Sequence, residues 1–129
     1  MSTPTITKAT FDTFQIVKDA DADGTIQRDV FPGKCRLHHV SLDNAANGAA
    51  SYLKLYDDLN PVVGTTSPDE ILRARASVKE EFPINPNVEN PGLVFENGLS
   101  FACVTAGGTA GTTSPTSNVV VVLTVSKES

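Results

Sequence analysis

Short runs of alternating apolar and polar residues, each cut off by Gly, Pro, Asn or Asp, recur along almost the whole chain. Runs of about four to eight residues suit strands, whereas a stable helix asks for about ten or more. The breaks fall at Asp19 to Gly24, Pro32-Gly33, Asp43-Asn44 with Asn47-Gly48, Pro83 to Pro91, and Glu96-Asn97-Gly98. About seven or eight strands separated by such turns define an all-β fold: a single-domain antiparallel β-sandwich, jelly-roll-like, with one packed core. At 129 residues the chain has room for one such domain, over residues 13–129, and not for a second core. Residues 1–12, rich in Ser and Thr and without periodicity, read as an extended N-terminal arm.

Ser51 to Tyr56 is the clearest two-faced strand. Leu53 and Leu55 alternate with Tyr52, Lys54 and Tyr56, so the leucines face a core while both tyrosines of the chain and a lysine stand on the opposite surface. That dressing suits packing or assembly contacts better than ligand contacts. Lys34 to Leu42 alternates until a phase change at His38 and His39, where a β-bulge is expected. The turn cluster after it would let this strand pair with Ser51 to Tyr56 as a hairpin. Phe14 to Val17 and Thr25 to Phe31 read as strands around the acidic turn Asp19 to Gly24, and Leu93 to Phe95 and Leu99 to Val104 as a hairpin around Asn97-Gly98.

Residues 67 to 84 fit two templates. Ser67-Pro68-Asp69-Glu70 is a helix-start pattern, yet Leu72, Ala74, Ala76, Val78 and Phe82 share one side of an extended chain. The all-β surroundings favour a strand. Pro83 to Pro91 is a surface connection and Thr105 to Ser117 a flexible Gly/Thr/Ser loop. Val119 to Leu123, apolar on both faces, is either central in a sheet or covered by a neighbouring subunit.

Charge and composition exclude several function classes. Ten Lys and Arg against 15 Asp and Glu give a net charge of −5, the wrong sign for a phosphate-neutralising face, so no nucleic-acid partner is expected. No apolar run approaches the roughly 18 to 20 residues that span a bilayer, so no membrane is expected, and the first residues lack the pattern of a secretory signal. A soluble protein made in the cytoplasm is the simpler reading. Charged residues are 19%, below the typical value of about 25%, which suggests that part of the surface is covered in use.

Candidate chemistry is sparse. Asp19, Asp21, Asp23 and Gly24 match the opening of a calcium-binding loop, but the closing bidentate Glu should fall at Val30, so an acidic turn between strands is the better reading. His38 and His39 are adjacent and expected on opposite faces of a strand, which discourages a shared metal. Cys35 and Cys103 could form one disulfide, but in a reducing compartment they read as two small buried hydrophobes. Glu80-Glu81 and Asp57-Asp58 read as solvated charges, and Gly107-Gly108 with Gly111 lack the strand-to-helix setting of a phosphate loop. No catalytic, cofactor-binding or metal residue is assigned, and no enzyme is expected.

Phe31-Pro32-Gly33 with Leu37-His38-His39-Val40, Tyr52 to Asp57, Val63-Gly64-Thr65-Thr66-Ser67-Pro68, and Gly98-Leu99-Ser100-Phe101 leading to a Thr-rich loop and a Val-rich strand together resemble small virion-associated proteins of tailed bacteriophages. The resemblance covers roughly residues 31 to 125 and departs from the pattern in the charged segment Arg73 to Glu81. It implies a β-sandwich that decorates the capsid surface as a cement protein, a trimer or dimer bound to the major capsid protein. The alternative it implies is a tail or baseplate subunit. A calcium- or carbohydrate-binding module is a lower alternative, suggested by the acidic turn and by Tyr52 and Tyr56.

Overall fold

A computed structural model of the chain describes residues 6–11, 14–84 and 92–127. Among them there is no helix, and nine strands form two antiparallel sheets. In chain order these are β1 (Ile6–Phe11), β2 (Phe14–Ala22), β3 (Cys35–Asp43), β4 (Ser51–Asp57), β5 (Glu70–Ala74), β6 (Lys79–Pro83), β7 (Leu93–Phe95), β8 (Leu99–Val104) and β9 (Val119–Lys127). The larger sheet runs β1-β2-β9-β3-β6, with β7 on the far end of β3, and the smaller runs β5-β4-β8.

The two sheets close on one core. Alternation along β9 sends Val119, Val121, Leu123 and Val125 inward, beside Val17, Leu37, Val40 and Leu42 of the larger sheet. Leu53, Leu55, Leu99, Phe101 and Cys103 face them from the smaller sheet, and all of these side chains are buried. Cys35 and Cys103 are both buried and free, as small core hydrophobes. β9 lies between β2 and β3, so the central position expected from its apolar run is the one it takes.

Several local expectations are overturned, and the reasons are shared. Neither expected hairpin forms: β3 belongs to the larger sheet and β4 to the smaller, and likewise β7 and β8. Each pair is an arch that crosses from one layer to the other. At Asn97-Gly98 neither residue takes a positive φ, so no left-handed hairpin turn is made. The Asp57 carboxylate instead takes the turn's amides, with Oδ1 accepting from Asn97 N at 2.7 Å and from Gly98 N at 3.4 Å. Residues 70 to 83 are extended, as preferred, but split into β5 and β6 on opposite sheets, with Ser77 at φ 62° in the turn.

At the start of the chain, β1 is hydrogen-bonded along its length to β2, from Ile6 opposite Asp19 to Phe11 opposite Phe14, so this part of the expected arm is a paired strand. Residues 1–5 and 12 of the arm, and residues 85–91 of the Pro/Asn connection, lie outside the described residues. β2 runs on through Asp19 and Asp21 with a register shift before Ala22, where a turn was expected. Thr25 to Phe31 makes only one bridge, Gln27 to Phe101, and lies along the edge of β8 instead of forming a strand of its own.

Candidate functional site

The outward face of the smaller sheet is not a surface. β4 places Tyr52, Lys54 and Tyr56 on that side, but Lys54 and Tyr56 are 0% exposed and Tyr52 is half-buried. The loop from Thr105 to Ser117 crosses over Tyr52 and Lys54. Lys54 Nζ donates to the carbonyl oxygens of Gly111 at 2.7 Å and Thr109 at 3.2 Å, which gives a buried ammonium the polar partners it requires. Burial still pushes its pKa below the ordinary lysine value. Tyr52 lies against Gly107, where a Cβ would come within 3.1 Å of the ring. The tyrosine–lysine face expected on the outside is therefore internal packing, and Tyr56 is withheld from any saccharide. Among the described residues its hydroxyl has no hydrogen-bond partner, and burial raises its pKa.

Beside this loop lies a polar knot that the turn residues did not reveal. Asn44, fully buried, donates from Nδ2 to the carbonyls of Ala49 and Arg75, both at 3.0 Å. Its Oδ1 accepts from Ser51 Oγ at 2.7 Å and from Asn47 Nδ2 at 2.9 Å. Asn47 in turn bonds Ser117 through both its amide groups. Three connections are thereby tied together: the β3–β4 arch, the β5–β6 turn and the end of the loop before β9. The sequence signal was only a cluster of turn formers.

The acidic motif is placed differently from the expectation of a turn. Asp19, Asp21 and Asp23 are all buried, at the end of β2 and just beyond it. Asp19 Oδ1 accepts from Asp21 N and Asp23 Oδ1 from Thr25 N, so the carboxylates serve local backbone amides. Among the described residues no group of three His, Cys, Asp or Glu side chains is placed to hold a metal.

The histidines correct another expectation. The register shift between Leu37 and His39 is the anticipated bulge, and it turns both rings to the same outer face of the larger sheet. His38 Nε2 lies 2.7 Å from Ser126 Oγ, and its ring meets Phe14 edge-on with centroids 5.0 Å apart. His39 Nε2 lies 3.3 Å from Glu81 Oε1 on β6. Glu80 and Glu81 are likewise engaged, Glu80 with Arg75 and Glu81 also with Ser41.

What remains open is the rest of that outer face. Opposite the buried side chains of β2 and β9 stand Ile16, Val120, Val122 and Thr124, all half-buried, with Phe14 at their margin and 40% exposed. An antiparallel sheet whose other face already covers a core usually turns polar residues to solvent. Here it turns three aliphatic side chains outward among polar neighbours, with Lys18 and Ser41 beside Val122 and Asp43 beside Val120. Neither the known protein-family models nor the curated proteins contain a match to this chain.

Proposed function

We infer that the chain is a structural subunit of a bacteriophage virion, a decoration protein that binds the assembled head shell and stabilises it. The observation that carries this reading is the set of three half-buried aliphatic side chains, Ile16, Val120 and Val122, that stand with Phe14 on the outer face of the larger sheet. It joins the motif resemblance to virion-associated proteins as a surface suited to docking on another protein. A decoration protein needs a modest apolar patch used in many symmetric copies, and gains strength from their number. The net charge of −5 keeps the free subunit soluble before it docks. The partner in this reading is the major capsid protein, and the subunit assembles as a trimer or dimer on it.

The test is rebinding. Heads prepared without the protein should take it up from solution and gain resistance to heat, with on the order of hundreds of copies per particle. Uptake of about six or twelve copies, at the tail, would move it to a ring or baseplate. No uptake and no change in head stability would end the virion reading.

A further inference from the structure

The chain contains two Asn-Gly pairs, Asn47-Gly48 and Asn97-Gly98. In such a pair the following residue has no side chain, so its backbone nitrogen can approach the asparagine side-chain carbonyl unhindered. The fold treats the two pairs in opposite ways.

Asn47 is 5% exposed, and its amide is held at both ends. Oδ1 accepts from Ser117 N at 2.7 Å, while Nδ2 donates to Asn44 Oδ1 at 2.9 Å and to Ser117 O at 3.1 Å. Rotating this side chain toward Gly48 N would break three hydrogen bonds in a buried site. Asn97 is exposed, and its side-chain amide has no partner among the described residues. Only its backbone is tethered, by the 2.7 Å bond to Asp57 Oδ1. The neighbouring Gly98 N reaches the same oxygen at 3.4 Å, a long contact that holds the nitrogen loosely.

We propose that Asn97 is a site of spontaneous covalent modification in the folded protein, and that Asn47 is protected from the same reaction. Gly98 N gives up its proton and attacks Asn97 Cγ. A new N–C bond closes a five-membered imide, the bond from Cγ to the amide nitrogen breaks, and that nitrogen leaves as ammonia with the proton. Water then opens the ring at either carbonyl, giving aspartate or isoaspartate. The product adds a negative charge beside Glu96 and Asp57, at the arch that Asp57 organises. This inference does not depend on the virion reading.

The test uses the full chain, folded, incubated at mildly alkaline pH and followed by peptide mapping with mass spectrometry and isoaspartate detection. In the fold, Asn97 should convert roughly tenfold or more faster than Asn47. In urea the two rates should converge, because both side chains are then free. Asn97→Ser should abolish the folded-state signal and leave the Asn47 peptide unchanged. Equal rates in the folded protein, a faster reaction at Asn47, or an Asn97 that converts only when unfolded would each overturn the proposal.

Discussion

Lys54 Nζ donates to the main-chain oxygen of Gly111 across 2.7 Å, from a strand position with no solvent exposure. A charged side chain thus fastens a loop of small residues onto a sheet. Lys54→Met keeps most of the volume and removes both donors, leaving the Thr109 and Gly111 carbonyls without them. The expected loss is about 1–3 kcal/mol in urea unfolding, with faster amide exchange confined to residues 105–117 and their neighbours. Unchanged exchange there would show that the loop is held by something else.

Asn44 is the hub of the polar knot, with four hydrogen bonds to Ala49, Arg75, Ser51 and Asn47. Asn44→Asp keeps the shape, but it replaces a two-hydrogen donor with an acceptor that faces two carbonyls. We expect a loss of about 3 kcal/mol or more at neutral pH, partly recovered in acid where the carboxyl is protonated. Denaturant curves at two pH values measure both effects.

The buried thiols weaken the fold at alkaline pH. Burial pushes Cys35 up to about 12, aided by Asp57 and Asp29, and pushes Cys103 up to about 12, aided by Asp19 and Asp23. Between 9.0 and about 12 the unfolded chain has released these protons while the folded one keeps them. The contribution of the thiols is therefore full below pH 9.0 and falls above it, by about 1.4 kcal/mol per thiol per pH unit. Tyr56, also raised, acts in the same direction above 10.0, whereas Lys54, lowered, gains stability as pH rises toward 10.5. Comparison with C35A/C103A cancels those two and isolates the thiol slope. Parallel pH profiles for the two proteins would contradict it.

Gly92, at φ 87°, precedes β7, and a Cβ there would come within 2.7 Å of the Leu37 carbonyl oxygen. Backbone cannot move aside as a side-chain tip can. Gly92→Ala should cost about 1–3 kcal/mol and loosen the pairing of β7 with β3. A midpoint equal to that of the wild type would show that the backbone relaxes there.

Val122 stands on the outer face, opposite the core side of β9. Val122→Glu, which faces Lys18 across the β2–β9 ladder, should leave the thermal midpoint within a few degrees of the wild type and reduce rebinding to heads by roughly tenfold or more. A variant that folds and rebinds normally would remove Val122 and its neighbours from the docking surface.

The inward residues of β4 and β9 were legible because period-two patterning survives any topology: Leu53, Leu55 and the odd-numbered valines of β9 point where alternation sends them, whereas β1 and the irregular stretch Thr25 to Phe31 were not read. The bulge at His38 was legible as a phase change. Pairing was not, because a turn signal such as Asn97-Gly98 reports a change of direction without saying whether the chain returns beside itself or crosses to the other sheet. Asp57, distant in sequence, decides that by taking both amides. Lys54 and Tyr56 misled for a similar reason. Their polarity marks an outer face, and for Lys54 the path of a loop some fifty residues later makes that face interior.

The place of β9 between β2 and β3 has a consequence for how the protein is made. Among the described residues the two halves of the larger sheet have no direct ladder to each other and meet through residues 119 to 127. During synthesis more than a hundred residues must wait before that strand emerges, with Val17, Leu37, Val40 and Leu42 lacking their partners across the sheet. Such contacts are distant in sequence and slow to close, so the nascent chain carries sticky, unzipped strands until its central one is delivered. The arrival of β9, more than any local turn, is then the event that allows this sheet to close.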